Sequence, residues 1–85
     1  MTLRIEKHSD GGTTTVRLIG RMRAEHLPEL EQQIRECGPG ILLDLEELNL
    51  VDVQAVRYLG DCESQGIVLT NCSPYIRDWI AKEKD

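Results

Sequence analysis

Hydrophobic and polar positions alternate near the start of the chain as they do in strands. Leu3 to Lys7 alternates like a half-exposed strand, and Thr13 to Ile19 is β-branched or apolar apart from Arg17. Asp10-Gly11-Gly12 lies between the two runs and supplies the positive φ angles of a turn. The pattern therefore predicts a β-hairpin.

A helical period begins after Gly20 and Arg21. Its apolar residues recur at steps of three or four and share one helical face: Ala24, Leu27, Leu30, Ile34 and Cys37. Pro28 suits the first turn, where its missing N–H costs nothing. We expect Gly38 just past the last turn and Pro39 as the stop.

Ile41 to Leu45 is an apolar run broken only by Asp44, which predicts a buried strand. Leu48 to Val51 carries further apolar surface up to Asp52, a good N-cap residue for a second helix. The predicted inner face of this helix holds Ala55, Val56, Tyr58, Leu59 and Cys62. Its predicted outer face holds Val53, Arg57, Gly60 and Ser64.

Gly66 ends the second helix, and Ile67 to Leu69 predicts another strand. Ser73-Pro74 then has the N-cap and first-turn residues of a third helix, whose inward stripe is Ile76, Trp79 and Ile80. The order β-β-α-β-α-β-α predicts one α/β domain over residues 1–85. Its sheet is expected to be mixed and four-stranded, with an antiparallel hairpin, two parallel crossovers and three helices packed on it.

The composition narrows the partners. The chain has 85 residues and a formal net charge of −5, with basic residues scattered and outnumbered. Binding to nucleic acids needs clustered Lys and Arg, and an acidic surface is also repelled by anionic membranes. No signal peptide is evident, and no apolar run approaches the roughly 20 residues of a membrane helix. We therefore expect a cytoplasmic protein that binds neither nucleic acid nor membrane.

Motifs for catalysis are missing from the sequence. It contains no P-loop, no G-x-G-x-x-G, no G-x-S-x-G and no H-E-x-x-H. His8 and His26 fall in different elements with no carboxylate spaced to complete a metal site. The sequence therefore predicts a protein without enzymatic activity, cofactor or metal.

Three cysteines without C-x-x-C spacing favour reduced thiols: Cys37, Cys62 and Cys72. Cys62 is near a helix C-terminus, where the dipole disfavours a thiolate. Cys72 precedes a helix start, where the dipole favours one. Packing in the core is the preferred interpretation, and a redox sensor that uses Cys62 and Cys72 is the alternative.

Two carboxylates, Asp44 and Asp52, are expected near one edge of the sheet. Asp44 ends a strand and Asp52 begins the next helix, and partners of open α/β sheets bind at the carboxyl ends of strands. The alternative is that Asp52 is only a cap and that Asp44 only orders its loop. The sequence leaves both interpretations open.

Two segments of the chain together resemble the centre of a STAS domain, the sulfate transporter and anti-sigma factor antagonist family. The first is Gly40-Ile41-Leu42-Leu43-Asp44-Leu45, and the second, which follows after six residues, is Asp52-Val53-Gln54-Ala55-Val56-Arg57-Tyr58-Leu59. That family shows a strand ending in Asp, a short apolar segment, and Asp-Ser-Ser-Gly-Leu opening a helix. The flanks Leu18-Ile19-Gly20-Arg21, Gly66-Ile67-Val68-Leu69 and Ser73 to Ile80 are also similar to it.

The resemblance implies a role in bacterial transcription regulation by partner switching. In the family, the residue after the second Asp is a phosphoacceptor Ser, and phosphorylation by an anti-sigma factor kinase releases the protein from that kinase. Here Val53 takes the place of that Ser, Gln54 that of the second Ser, and Ala55 that of the Gly. Valine has no hydroxyl, so we expect docking without phosphorylation at this position.

The sequence thus predicts a protein-binding regulatory module similar to an anti-sigma factor antagonist. The predicted contact surface has Val53 beside Leu50 and Val51, with a polar rim. Its expected partner-binding residues are Asp44, Asp52, Val53, Gln54 and Arg57. The alternative within the family is an accessory subunit of a lipid-transport ATPase.

Overall fold

The computed structural model describes residues 3–38 and 40–84 and confirms a mixed α/β fold. The strands are β1 (Leu3–Asp10), β2 (Thr13–Met22), β3 (Ile41–Asp44), β4 (Leu48–Val51) and β5 (Val68–Thr70). The helices are α1 (Leu27–Cys37), α2 (Val53–Ser64) and α3 (Pro74–Glu83), and a 3₁₀ turn at Ala24–His26 precedes α1.

The sheet has five strands in place of the four predicted. β1 pairs antiparallel with β2, and β3 and β5 follow in parallel, in the order β1-β2-β3-β5. The additional strand is β4, which pairs in parallel with β2 beyond the end of β3. β2 is long enough for this because it continues past Ile19 to Met22. The segment predicted only as apolar surface is therefore a strand that leads directly into α2.

The core lies between one face of the sheet and all three helices. Alternate strand residues such as Val16, Leu18 and Leu43 are fully buried and belong to the same cluster as buried residues of the helices. The helical members of that cluster are Leu30, Ile34, Ala55, Val56, Leu59, Cys62, Ile76 and Ile80. Thr15 and Arg17 point to the opposite face and are only half-buried. The helices thus cover one face and leave the other open.

Two residues differ from the predicted helical faces. Ala24, predicted on the inner face of the first helix, is exposed because it opens the 3₁₀ turn. Gly60, predicted on the outer face of α2, is buried because α3 packs there, close to the side chains of Ile80 and Lys84. Gly38 follows α1 with φ of 76°, as predicted, whereas the predicted stop at Pro39 lies outside the described residues.

Within residues 3–38 and 40–84, none of the helices combines the length and the apolar character needed to cross a membrane.

Candidate partner-binding site

Asp52 joins two elements through one carboxylate. It is the N-cap of α2, and its Oδ1 accepts a hydrogen bond from the backbone N–H of Ala55 at 2.9 Å. Its Oδ2 accepts another from the backbone N–H of Ala24, also at 2.9 Å. Both are helix-start N–H groups that would otherwise lack an intrahelical partner. Asp52 therefore links the start of α2 to the start of the 3₁₀ turn that follows β2.

The pKa of Asp52 reflects these bonds. Desolvation acts to raise it, but hydrogen bonds from the backbone N–H groups of Ala55, Ala24 and Gln54, with the nearby charge of Arg23, lower the pKa of this carboxyl below its ordinary value. Asp52 is therefore a carboxylate at neutral pH. Its oxygens are engaged by the protein itself, which confirms its predicted role as a cap.

Asp44 lies away from Asp52. Asp44 is opposite Arg17 on β2, whereas Val51, just before Asp52, is opposite Met22, five positions further along the same strand. At about 3.3 Å per residue this separates the two sites by roughly 16 Å. The Oδ1 atom of Asp44 accepts from the backbone N–H of Glu46 at 3.0 Å and from Asn71 Nδ2 at 3.2 Å. Asp44 therefore orders its own loop, and the structure does not bring it to the start of α2.

Exposed apolar side chains flank Asp52 in the chain. Leu50 is 51% exposed on β4, and Val53 is 36% exposed at the first position of α2. Val51 between them is half-buried against the core. We call Leu50, Val51 and Val53 the α2 patch. Single exposed apolar residues are common, whereas Leu50 and Val53 lie three positions apart in the sequence at one strand–helix junction.

The two predicted rim residues on α2 differ in their surroundings. Gln54 is exposed in the first turn, next to Val53. Arg57 is exposed one turn further on, and its Nε donates to Glu83 Oε1 of α3 at 2.9 Å. Arg57 therefore already has a partner within the protein, which makes it a bridge between α2 and α3.

The thiols of the redox alternative are shielded. Cys62 is 3% exposed in the last turn of α2, and burial raises the pKa of its thiol. Burial likewise raises the pKa of the half-buried Cys72 thiol. Both shifts disfavour the reactive thiolate.

Neither histidine belongs to a cluster of metal-ligating side chains, since no such group of three occurs among the described residues. His8 is exposed on β1. His26 accepts a hydrogen bond at Nδ1 from the backbone N–H of Arg23 at 3.0 Å. This bond closes the turn that precedes α1.

Sequence reasoning missed two arginines beside the α2 patch, Arg21 and Arg23. Both are exposed, and Arg21 is the register partner of Leu50 in the β2–β4 pair. Their spacing of two residues would have placed them on one face of a continued strand. That signal was not visible because β2 was predicted to end at Ile19.

The chain matches no protein-family model, and no curated protein sequence is significantly similar to it.

Proposed function

We propose that the protein is a non-enzymatic, cytoplasmic, protein-binding regulatory module that docks through the α2 patch in the manner of an anti-sigma factor antagonist. The observation that supports this most directly is the exposure of Leu50 and Val53 on either side of a double cap. The cap holds the strand end and the helix start together before a partner arrives, which lowers the entropic cost of binding.

Docking at this surface proceeds without phosphorylation. Residues 52–56 are Asp, Val, Gln, Ala and Val, so none carries a hydroxyl group. The nearest serines along the chain serve other purposes: Ser64 Oγ donates to the carbonyl of Gly60, and Ser73 Oγ accepts from the N–H of Ile76 as the N-cap of α3. Partner choice would therefore be set by the apolar contact and its rim.

The test is affinity capture from the lysate of the source organism with wild-type protein and two variants, followed by mass spectrometry. Val53→Asp places a charge in the centre of the α2 patch. Val68→Asp is the matched control, because Val68 is 54% exposed but lies on β5. Loss of a buried valine weakens binding by about 1.5–3 kcal/mol, roughly 10- to 150-fold, before the cost of burying the charge is added.

We expect Val53→Asp to lose the specific partner and Val68→Asp to retain it. Val53→Asp should barely change the melting temperature, because a carboxylate is favourable at a helix N-terminus. A sigma-regulatory kinase in the captured fraction supports the proposed role, and a transporter ATPase would replace it with the accessory-subunit alternative. Equal capture by both variants, or unfolding of Val53→Asp, would exclude the α2 patch as the interface.

A further inference from the structure

We propose that the partner surface is acidic, with an apolar side chain for the α2 patch and carboxylates for Arg21 and Arg23. This inference rests on the proposed function, since it describes the chemistry of the partner at the same surface.

Arg21 flanks the patch on β2. It is paired in register with Leu50 in the parallel β2–β4 ladder, so the two side chains lie next to each other on the same face of the sheet. Met22, the next residue, is fully buried on the helix side. Arg21 is therefore directed to the open face together with Leu50.

Arg23 follows Arg21 by two positions and also borders the patch. With Leu50, Val51 and Asp52 it lines a surface depression of about 410 Å³. The two carboxylate oxygens of Asp52 already accept backbone hydrogen bonds, although its charge lies close enough to interact with Arg23. Arg23 is thus exposed and forms part of the wall of this depression.

Arg21 and Arg23 differ from most other lysines and arginines in the described part of the protein because they form no ion pair with a carboxylate. Within the described residues, Arg21, Arg23 and Lys7 form no ion pair. Every other lysine and arginine does: Arg4, Arg17, Arg35, Arg57, Arg77, Lys82 and Lys84. Two of these three residues without an ion pair therefore lie at the α2 patch of a protein whose net charge is −5.

This distribution defines the complementary partner. An apolar group enters the depression, and carboxylates beside it meet the arginines, which can hold them in the bidentate geometry that lysine cannot provide. The rest of the acidic surface repels the same partner, so binding is directed to one orientation. A phosphate backbone fits less well because it has no apolar group to contact Leu50 and Val51 in the depression.

The test uses three synthetic peptides of equal length with a central Leu-Leu, flanked on each side by two Glu, two Gln or two Lys. Each is titrated into ¹⁵N-labelled protein, and a dT oligonucleotide is titrated in parallel. We expect the Glu peptide to shift the amide signals of residues 21–23 and 50–54. Two exposed ion pairs should make it bind about 2- to 30-fold more tightly than the Gln peptide. Raising the salt concentration should reduce the difference.

The variants are Arg21→Gln with Arg23→Gln, and Lys7→Gln as the control for removing an unpaired cation elsewhere. The double variant should lose the preference for Glu over Gln, and Lys7→Gln should keep it. If the Gln peptide binds as well as the Glu peptide, the acidic partner is excluded while an apolar docking surface remains. The inference is also overturned if only the oligonucleotide shifts these amides, if dilution alone shifts them through self-association, or if no ligand does. In those cases capture with Val53→Asp still decides the proposed function separately.

Discussion

The carboxylate of Asp52 accepts a hydrogen bond from the backbone of Ala24, 28 positions earlier in the chain, at 2.9 Å. The same side chain caps α2 through Ala55. Asp52 therefore joins the turn that follows β2 to the start of α2, next to the α2 patch and its arginines.

Replacing Asp52 should destabilise the protein by an amount that depends on how many of its hydrogen bonds are lost. Asp52→Ala removes both hydrogen bonds and should lower the free energy of unfolding by about 1–2 kcal/mol, the upper range for an N-cap. Asp52→Asn keeps one acceptor oxygen and should lose about half as much. Urea denaturation measures the free energy of unfolding of both variants. In a domain of this size, each kcal/mol lost should also lower the melting temperature by about 4–8 °C. If Asp52→Asn is as stable as wild type while Asp52→Ala is not, the second hydrogen bond of the carboxylate contributes nothing.

Stability should decrease in acid. In the folded state desolvation acts to raise the pKa of Asp52, but hydrogen bonds from backbone N–H groups and the charge of Arg23 lower it overall. The folded state lowers the pKa of Glu63 chiefly through its hydrogen bonds from Arg77 Nη1, both at 2.9 Å. Carboxyls with depressed folded pKa values bind protons more tightly when unfolded. Their contribution is therefore complete above the unfolded values of about 3.9 and 4.3, and is lost as the pH falls through the lower folded values.

The measurement is the urea midpoint between pH 7 and pH 2.5 for wild type, Asp52→Asn and Glu63→Gln. Each variant removes one titrating group, so its midpoint should fall less steeply below pH 4 than that of wild type. Parallel curves for all three proteins would contradict the assignment of the acid sensitivity to these groups.

Gly60→Ala should stabilise the protein. Gly60 lies in the interior of α2, where glycine costs about 0.5–1 kcal/mol relative to alanine. An added Cβ would lie at ordinary contact distance, 3.5 Å, from side-chain atoms of Ile80 and Lys84. Gly40→Ala is the contrasting variant, because Gly40 has φ of 79° and a Cβ there would approach the carbonyl oxygen of Gly12 to 2.8 Å.

We expect a higher melting temperature for Gly60→Ala and a lower one for Gly40→Ala, measured by circular dichroism at one pH. A destabilised Gly60→Ala would mean that α2 and α3 pack too closely at this point to accept a methyl group.

The thiols of Cys62 and Cys72 should react slowly in the folded protein. Burial raises both pKa values, so little thiolate is present at pH 7. In a Cys37→Ser background, titration with a chromogenic disulfide should be slow under native conditions and complete in urea. Peroxide should leave the titre unchanged. Rapid loss of both thiols with peroxide would instead favour the redox-sensor alternative.

The local sequence determined the helices and their starts. Asp52 and Ser73 act as N-caps as predicted, and the buried stripes of α2 and α3 contain the predicted Ala55, Leu59 and Ile80. These features depend on residues within one or two turns, because capping and helical periodicity are short-range effects. The hairpin follows equally from its Gly-rich turn and its alternation.

Tertiary structure alone decided the layout of the site. The pairing of β4 with the extended end of β2 separates Asp52 from Asp44 and brings Leu50 beside Arg21. Strand register is set by contacts between segments far apart in the chain, so no local pattern shows which positions become neighbours. The cap that Asp52 forms on α2 is local and was predicted. Its bond to Ala24 is not local, because it depends on where β2 ends in space.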